Sequence, residues 1–151
     1  MLPGQYRLHV GTWQALQPLA AAVRLAVFVR EQGIPLSEEW DAADAEALHA
    51  VITDAQGLPV ATGRLLQAQP QLAQVGRMAV LPTHRGQHLG AKLLQALCEA
   101  ARERGDQQVV LHAQRSAEGF YLRQGFAPQG EPYDEVGIAH ITMCCDLRPQ
   151  A

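Results

Sequence analysis

Between Val75 and Leu94 the chain reads VGRMAVLPTHRGQHLGAKLL, with residue types and spacing suited to holding an anion. Val75 to Leu81 is a short apolar run with β-branched residues, and Pro82, which cannot donate to a sheet ladder, closes it as a strand. Thr83 to Gly90 is polar and carries Gly86 and Gly90. From Leu89 the apolar residues Leu89, Leu93, Leu94 and Leu97 return at helical spacing. Strand, glycine loop and helix in that order present the unpaired N–H groups and the positive dipole end of a first helical turn to whatever sits in the loop. A pyrophosphate suits that place, since Gly86 and Gly90 permit close backbone approach and Arg85 can fork onto phosphate oxygens. The spacing matches neither a Walker A loop nor the G-x-G-x-x-G dinucleotide fingerprint.

The run Arg85-Gly86-Gln87-His88-Leu89-Gly90 resembles motif A of the GNAT superfamily of N-acetyltransferases: Arg or Gln, two residues, Gly, one residue, Gly or Ala. His88 stands where the family has its middle glycine. Downstream, Phe120-Tyr121-Leu122-Arg123-Gln124-Gly125-Phe126 is similar to the same family's F-Y-x-x-x-G-F signature. Val27 to Gln32, Glu39-x-Asp41-x-x-Asp44, His49 and Glu135-x-Gly137-Ile138-x-His140 resemble a bacterial branch typified by ElaA, from about Val23 to Asp146. The resemblance implies one α/β domain (α+β by some schemes) over residues 1–151, with a central mixed, mostly antiparallel sheet and helices on both faces. It implies transfer of an acetyl group from acetyl coenzyme A to a primary amine of a small molecule or peptide by direct attack. A longer acyl coenzyme A as donor, or a sensor that binds acyl coenzyme A without turnover, are the alternatives. A homodimer is left open.

The same resemblance assigns places. The pantetheine arm lies along Met78, Ala79 and Val80, adding its amides to the strand edge, and the pyrophosphate lies on Arg85, Gly86, Gln87, His88, Leu89 and Gly90. Gln114 stands where many members carry an asparagine that bonds the arm. Tyr121 is the expected general acid, because a phenol with a pKa near ~10 carries its proton at neutral pH and can give it to a departing thiolate. The base is open. Many relatives use a central-strand glutamate, but this chain offers Gln74, Val75 and Gly76 there, so Glu31, His49, Glu135 and His140 are the candidates. His112 reads as a hydrogen-bonded core residue as readily as a site residue.

The elements that must position these groups follow from periodicity. Gln5 to Val10 reads as a strand, Thr12 as the cap of a helix whose Leu16, Ala20, Val23 and Val27 form one face, and Gly33 and Pro35 as its end. Leu48 to Asp54 and Pro59 to Gln67 read as a hairpin leading into the central strand. A long helix spans His88 to Arg104; then come a strand at Gln108 to Ala113, a short helix near Ser116 to Gln124, and a closing pair of strands through Phe126 and Ile138 to Leu147. Arg148 to Ala151 reads as a loose tail.

Composition bounds the partners. With 151 residues and a net charge of -3, the chain has the size of one domain and no basic block for nucleic acid or an anionic membrane. A leader pattern and a bilayer-spanning stretch are missing, so a cytoplasmic protein is expected. Cys98, Cys144 and Cys145 read as reduced and structural, and no metal-binding spacing occurs. Ser37 to Glu46 packs Glu38, Glu39, Asp41, Asp44 and Glu46 into a short span, read as a solvated face or, functionally, as a lure for a cationic amine acceptor.

Overall fold

The structure, a computed structural model, describes residues 4–39 and 41–148, the side chain of Glu38 excepted. The expected tail therefore lies, from residue 149 onward, outside the described residues. Eight strands build one sheet: β1 (Arg7–Thr12), β2 (Leu48–Thr53), β3 (Pro59–Gln69), β4 (Leu72–Val80), β5 (Gln108–Gln114), β6 (Ala127–Pro128), β7 (Tyr133–Glu135) and β8 (Ile138–Asp146). Their order is β1-β2-β3-β4-β5-β8-β6, with β7 also on β8. Neighbours pair antiparallel except β4 and β5, which are parallel because a helix joins them. The sheet is thus mixed and mostly antiparallel, as the resemblance implies.

Helix α1 (Trp13–Arg24) starts where Thr12 Oγ1 accepts the Ala15 N–H at 3.3 Å, the expected cap. It runs on into a π-helical turn, Leu25–Glu31. Gly33, at a left-handed φ of 74°, ends the arm while its N–H reaches Val29 and that of Ile34 reaches Phe28. A short α2 (Leu36–Glu39) follows. On the other side lie α3 (Leu89–Glu103) and α4 (Glu118–Arg123). The two faces separate cleanly along β2: Ala50 and Ile52 join the cluster of Leu89, Leu93, Leu94 and Leu97, whereas Val51 joins Leu16 and Ala20 of α1. Burying each of those four leucines is worth about 1.5–3 kcal/mol, which holds α3, and hence the loop before it, on the sheet.

Two irregularities in the central strands shape the cavity side of the sheet. Thr62 pairs with Ala79 and Arg64 with Gly76, so Gly63 alone opposes both Arg77 and Met78, a bulge with Arg77 at φ 51°. Gly63 makes it possible, since a Cβ there would lie 2.6 Å from Met78 Sδ and 3.0 Å from Leu97 Cδ1. Second, β4 and β5 pair from Leu72/Gln108 to Val75/Leu111 and no further, although they continue to Val80 and Gln114. Beyond Val75 the β5-facing edge of β4 is open.

The three cysteines are free and half-buried, and burial pushes the Cys98 thiol up to about 12, which keeps it inert.

Candidate active site

The opening between β4 and β5 widens into a cavity of about 730 Å³. Met78, Ala79 and Val80 line it from β4, Gln114 from the end of β5, and Tyr121 from α4. Val80 Cγ2 and the Phe120 ring also pack against the start of α3, where a Cβ on Gly90 would sit 3.4 Å from Phe120. The glycine at this position therefore serves the α3–α4 contact as well as the loop.

The loop itself is built to leave donors free. Pro82–His84 form a 3-10 turn, tethered where Tyr6 Oη meets His84 Nδ1 at 2.8 Å. Gly86 (φ 83°) and His88 (φ 63°) are both left-handed, and His88 caps α3 with backbone alone. The residue that departs from the family pattern thus adopts the conformation a glycine would, at a cost of about 1–2 kcal/mol. The Lys92 N–H to His88 carbonyl bond, 3.2 Å, is the first of the helix, so the N–H groups of Leu89, Gly90 and Ala91 have no helical partner. Alternating left-handed residues before a helix N-terminus make a concave nest of N–H groups for an anion. Gly86, His88, Leu89 and Gly90 border the cavity; Gln87 is exposed and does not line it.

Arg85 also borders the cavity, but its fork is engaged: Nη1 and Nη2 donate to Glu31 at 2.8 and 2.7 Å, and Nε to the Val80 carbonyl at 2.9 Å. That contact holds the Glu31 carboxyl below its usual value and leaves it a poor proton acceptor. Both side chains are more than a third exposed, so the pair is exchangeable.

Of the remaining base candidates, His49 is buried away from the cavity, bonded to the Asp44 carbonyl at 3.0 Å and packed on Trp13, and burial lowers its pKa. Glu135 is exposed at the rim. His140 lies in the cavity wall, opposite Gln114 in the β5/β8 register. Its Nδ1 is 2.7 Å from the Ile138 carbonyl, which can only accept, so in the neutral ring the proton sits on Nδ1 and Nε2 keeps a lone pair. Glu135 Oε2 is 4.0 Å from that Nε2, and Tyr133 stacks on the ring at 5.9 Å. His112 is exposed rather than core, bonded to Thr142 and Tyr133.

Tyr121 is 8% exposed, between Phe120 and Phe126. Burial pushes its phenol up to about 12, so the proton stays in place at any working pH. No partner for its hydroxyl occurs among the described residues. Gln114 Nε2 donates to Gln32 Oε1 at 2.9 Å, tying β5 to the end of the π-helical arm.

The acidic stretch corrects the sequence reading. Glu39 and Asp44 are 2% and 3% exposed, not a solvated face. Arg24 Nε meets Glu39 at 2.5 Å and Nη1 meets Asp44 at 2.8 Å; Arg64 meets Asp41 at 2.7 Å and Asp44 at 2.8 Å. Burial alone would raise the Asp44 carboxyl, but the two arginines hold it below its usual value, whereas for Glu39 burial wins and raises it. Arginines already answer the charges of Glu39, Asp41 and Asp44. Glu39, Arg64 and Arg77 border the cavity on the α1 face, and sequence reasoning did not single out the two arginines. Their signal was a charge inside an apolar strand, each time after a glycine: Gly63-Arg64 and Gly76-Arg77.

Known proteins share the sequence pattern and the fold. The sequence profile of the "Acetyltransferase (GNAT) domain" family matches residues 22–147. An uncharacterized N-acetyltransferase of Bacillus subtilis, YjcF, is 34% identical over 125 residues, covering 82% of this chain and 88% of its own. The crystal structure of Escherichia coli ElaA superposes with a TM-score of 0.82 at 27% identity, covering 93% of this chain and 99% of that one. An acyl-CoA N-acyltransferase from Pseudomonas aeruginosa gives 0.82 at 29% identity, with the same coverage. With the profile extending from α1 past the end of β8 and the fold shared over nearly whole chains, the protein belongs to the GNAT family of acetyltransferases.

Proposed function

We propose that this chain is an N-acetyltransferase that uses acetyl coenzyme A and acetylates a primary amine by direct attack, with His140 as general base and Tyr121 as general acid. The observation that carries the reading is the unpaired β4 edge beyond Val75, with the nest of N–H groups at one end and Tyr121 and His140 in the same cavity. The residues present fit the co-substrate: the nest takes the pyrophosphate and the free edge takes amide groups as a partial strand. The bound thioester supplies an activated acyl carbon. His140 Nε2 takes the proton an ammonium must lose before it attacks, while Nδ1–H stays on Ile138 and fixes the ring. As the nitrogen–carbon bond forms and the carbon–sulfur bond breaks, Tyr121 gives its phenolic proton to the sulfur, and the second proton shed by the acylated nitrogen returns to the phenolate through solvent. Glu135, 4.0 Å from Nε2, steadies the imidazolium. The cytoplasm, where acyl coenzyme A is supplied, is the compartment this reading assigns.

Tyr121→Phe tests the assignment, because it removes one hydroxyl and keeps the ring between Phe120 and Phe126. Turnover, followed as thiol release, is expected to fall about 10²-fold with coenzyme A affinity nearly unchanged. Near-native turnover would remove Tyr121 as the acid. Tight coenzyme A binding with no thiol release from any amine would favour the sensor instead.

A further inference from the structure

The buried charge network leaves one of its three arginines short of partners. Arg24 and Arg64 hold Glu39, Asp41 and Asp44 through contacts of 2.5–2.8 Å. Arg77 is left with Asp41 at 3.3 Å, Glu39 Oε2 at 3.7 Å and the Glu39 carbonyl at 3.3 Å. Three cations face three carboxylates, but the carboxylates lie closest to the other two, so the charge on Arg77 is the least answered. Arg64, beside it, is charge-paired with Asp41 and Asp44 but keeps a buried Nε donor that has no partner among the described residues. Both arginines border the cavity on the α1 face of the sheet, away from the nest at the start of α3. The bulge puts Arg77 there: at φ 51° its residue is held in a conformation costing about 1–2 kcal/mol, and the side chain is carried to the Glu39 side while Met78 turns to Leu97. A strained arginine with slack ion contacts beside an open cavity is arranged for a ligand.

We propose that Arg77, backed by Arg64, binds a carboxylate of the acceptor, so that the amine acetylated here is a small amine of the amino-acid kind. This rests on the N-acetyltransferase reading. A guanidinium fork binds a carboxylate through two parallel hydrogen bonds and so fixes direction as well as position. With its carboxylate on Arg77 of β4, the acceptor extends across the gap toward β8, where His140 Nε2 receives the ammonium proton. The carboxylate takes no part in bond making. The same two cations disfavour a polyamine or any acceptor whose second charge is positive.

The test uses the full chain with acetyl coenzyme A and matched acceptor sets of increasing chain length, each an amino acid, its carboxamide and the corresponding decarboxylated amine, followed by thiol release. The expected result is a kcat/KM about tenfold or more higher for the carboxylate member than for its amide. Arg77→Gly should abolish that ratio, chiefly through KM for the carboxylate, with coenzyme A affinity held within about twofold; glycine accepts the left-handed backbone without strain. Arg77→Lys, which keeps the charge and loses the fork, should retain part of the ratio and serves if the glycine variant does not fold. Preference for the amide or decarboxylated amine in the wild type would overturn the inference. So would an equal loss for all three acceptors in both variants, or a tenfold loss of coenzyme A affinity, which would assign the guanidinium to the co-substrate. Thiol release from neutral or cationic acceptors alone removes this inference and leaves the acetyltransferase standing; no release from any acceptor, with coenzyme A still bound, removes both.

Discussion

Two arginine–glutamate pairs flank the π-helical turn, Arg24 with Glu39 at its start and Arg85 with Glu31 at its end. The first has side chains 1% and 3% exposed, the second 45% and 37%. Both pairs have close charge-assisted hydrogen bonds, yet depth gives them different work. The buried pair cannot readily let go, because a charge released there finds no water and only counter-ions that other groups already engage. The exposed pair can trade one anion for another at little cost, since water covers whichever partner is released. The α1 end of the site is therefore a rigid floor, and the loop end is an exchangeable clasp.

The largest effect expected from breaking this contrast is in the floor. Arg24→Ala leaves Glu39 and Asp44 buried and short of a cation, and should lower unfolding stability by about 3–5 kcal/mol in denaturant titration. A loss below about 1 kcal/mol would mean that water reaches the cluster. In the loop, Gly86→Ala meets no atom within 4 Å but forces an L residue to φ 83°. It should cost about 1–2 kcal/mol of local strain and weaken coenzyme A by about tenfold, read by calorimetry. An unchanged affinity would show that the left-handed nest is not what holds the ligand.

Acid sharpens the comparison further. Hydrogen bonding to Arg64 depresses the Asp41 carboxyl from 3.8 to about 2, so its stabilisation is present above 3.8 and is lost as the pH falls through 2. Denaturant midpoints from pH 4 to 2 should consequently fall less steeply for Asp41→Asn than for the wild type. Equal slopes would mean that Asp41 gains nothing from Arg64. The smallest effect belongs to the clasp: Glu31→Gln should change stability by no more than about 0.5 kcal/mol. It should tighten coenzyme A by a few-fold at low salt, because Arg85 no longer has to be taken from a carboxylate. Weaker binding would show that Glu31 orients Arg85 rather than competing for it.

The glycine loop before α3 is legible in the amino-acid sequence. A proline that ends a strand, two glycines and a leucine period that restarts at Leu89 are local signals, and local signals specify local geometry. Even the departure at His88 is resolved locally, by a left-handed backbone. The α1 arm, the hairpins and the last strand are likewise recognisable within a few residues of their observed bounds, whereas the short β7 between the expected closing pair was not foreseen. The acidic stretch misleads for the opposite reason. Nothing between Ser37 and Glu46 says that Arg24, Arg64 and Arg77, up to 38 residues away, converge on it. Charge density along a chain predicts exposure only until tertiary contacts supply counter-ions.

By itself, then, the sequence determined most of the order of strands and helices, the glycine loop before α3 and the aromatic seat of Tyr121, because backbone preference and side-chain period act over one or two turns. Tertiary structure alone decided which carboxylates are buried, which arginine is left under-paired and which histidine nitrogen keeps its lone pair. Those depend on the β4 bulge opposite Gly63, on the β5/β8 register that sets His140 beside Gln114, and on a carbonyl at Ile138 that only folding brings to the ring.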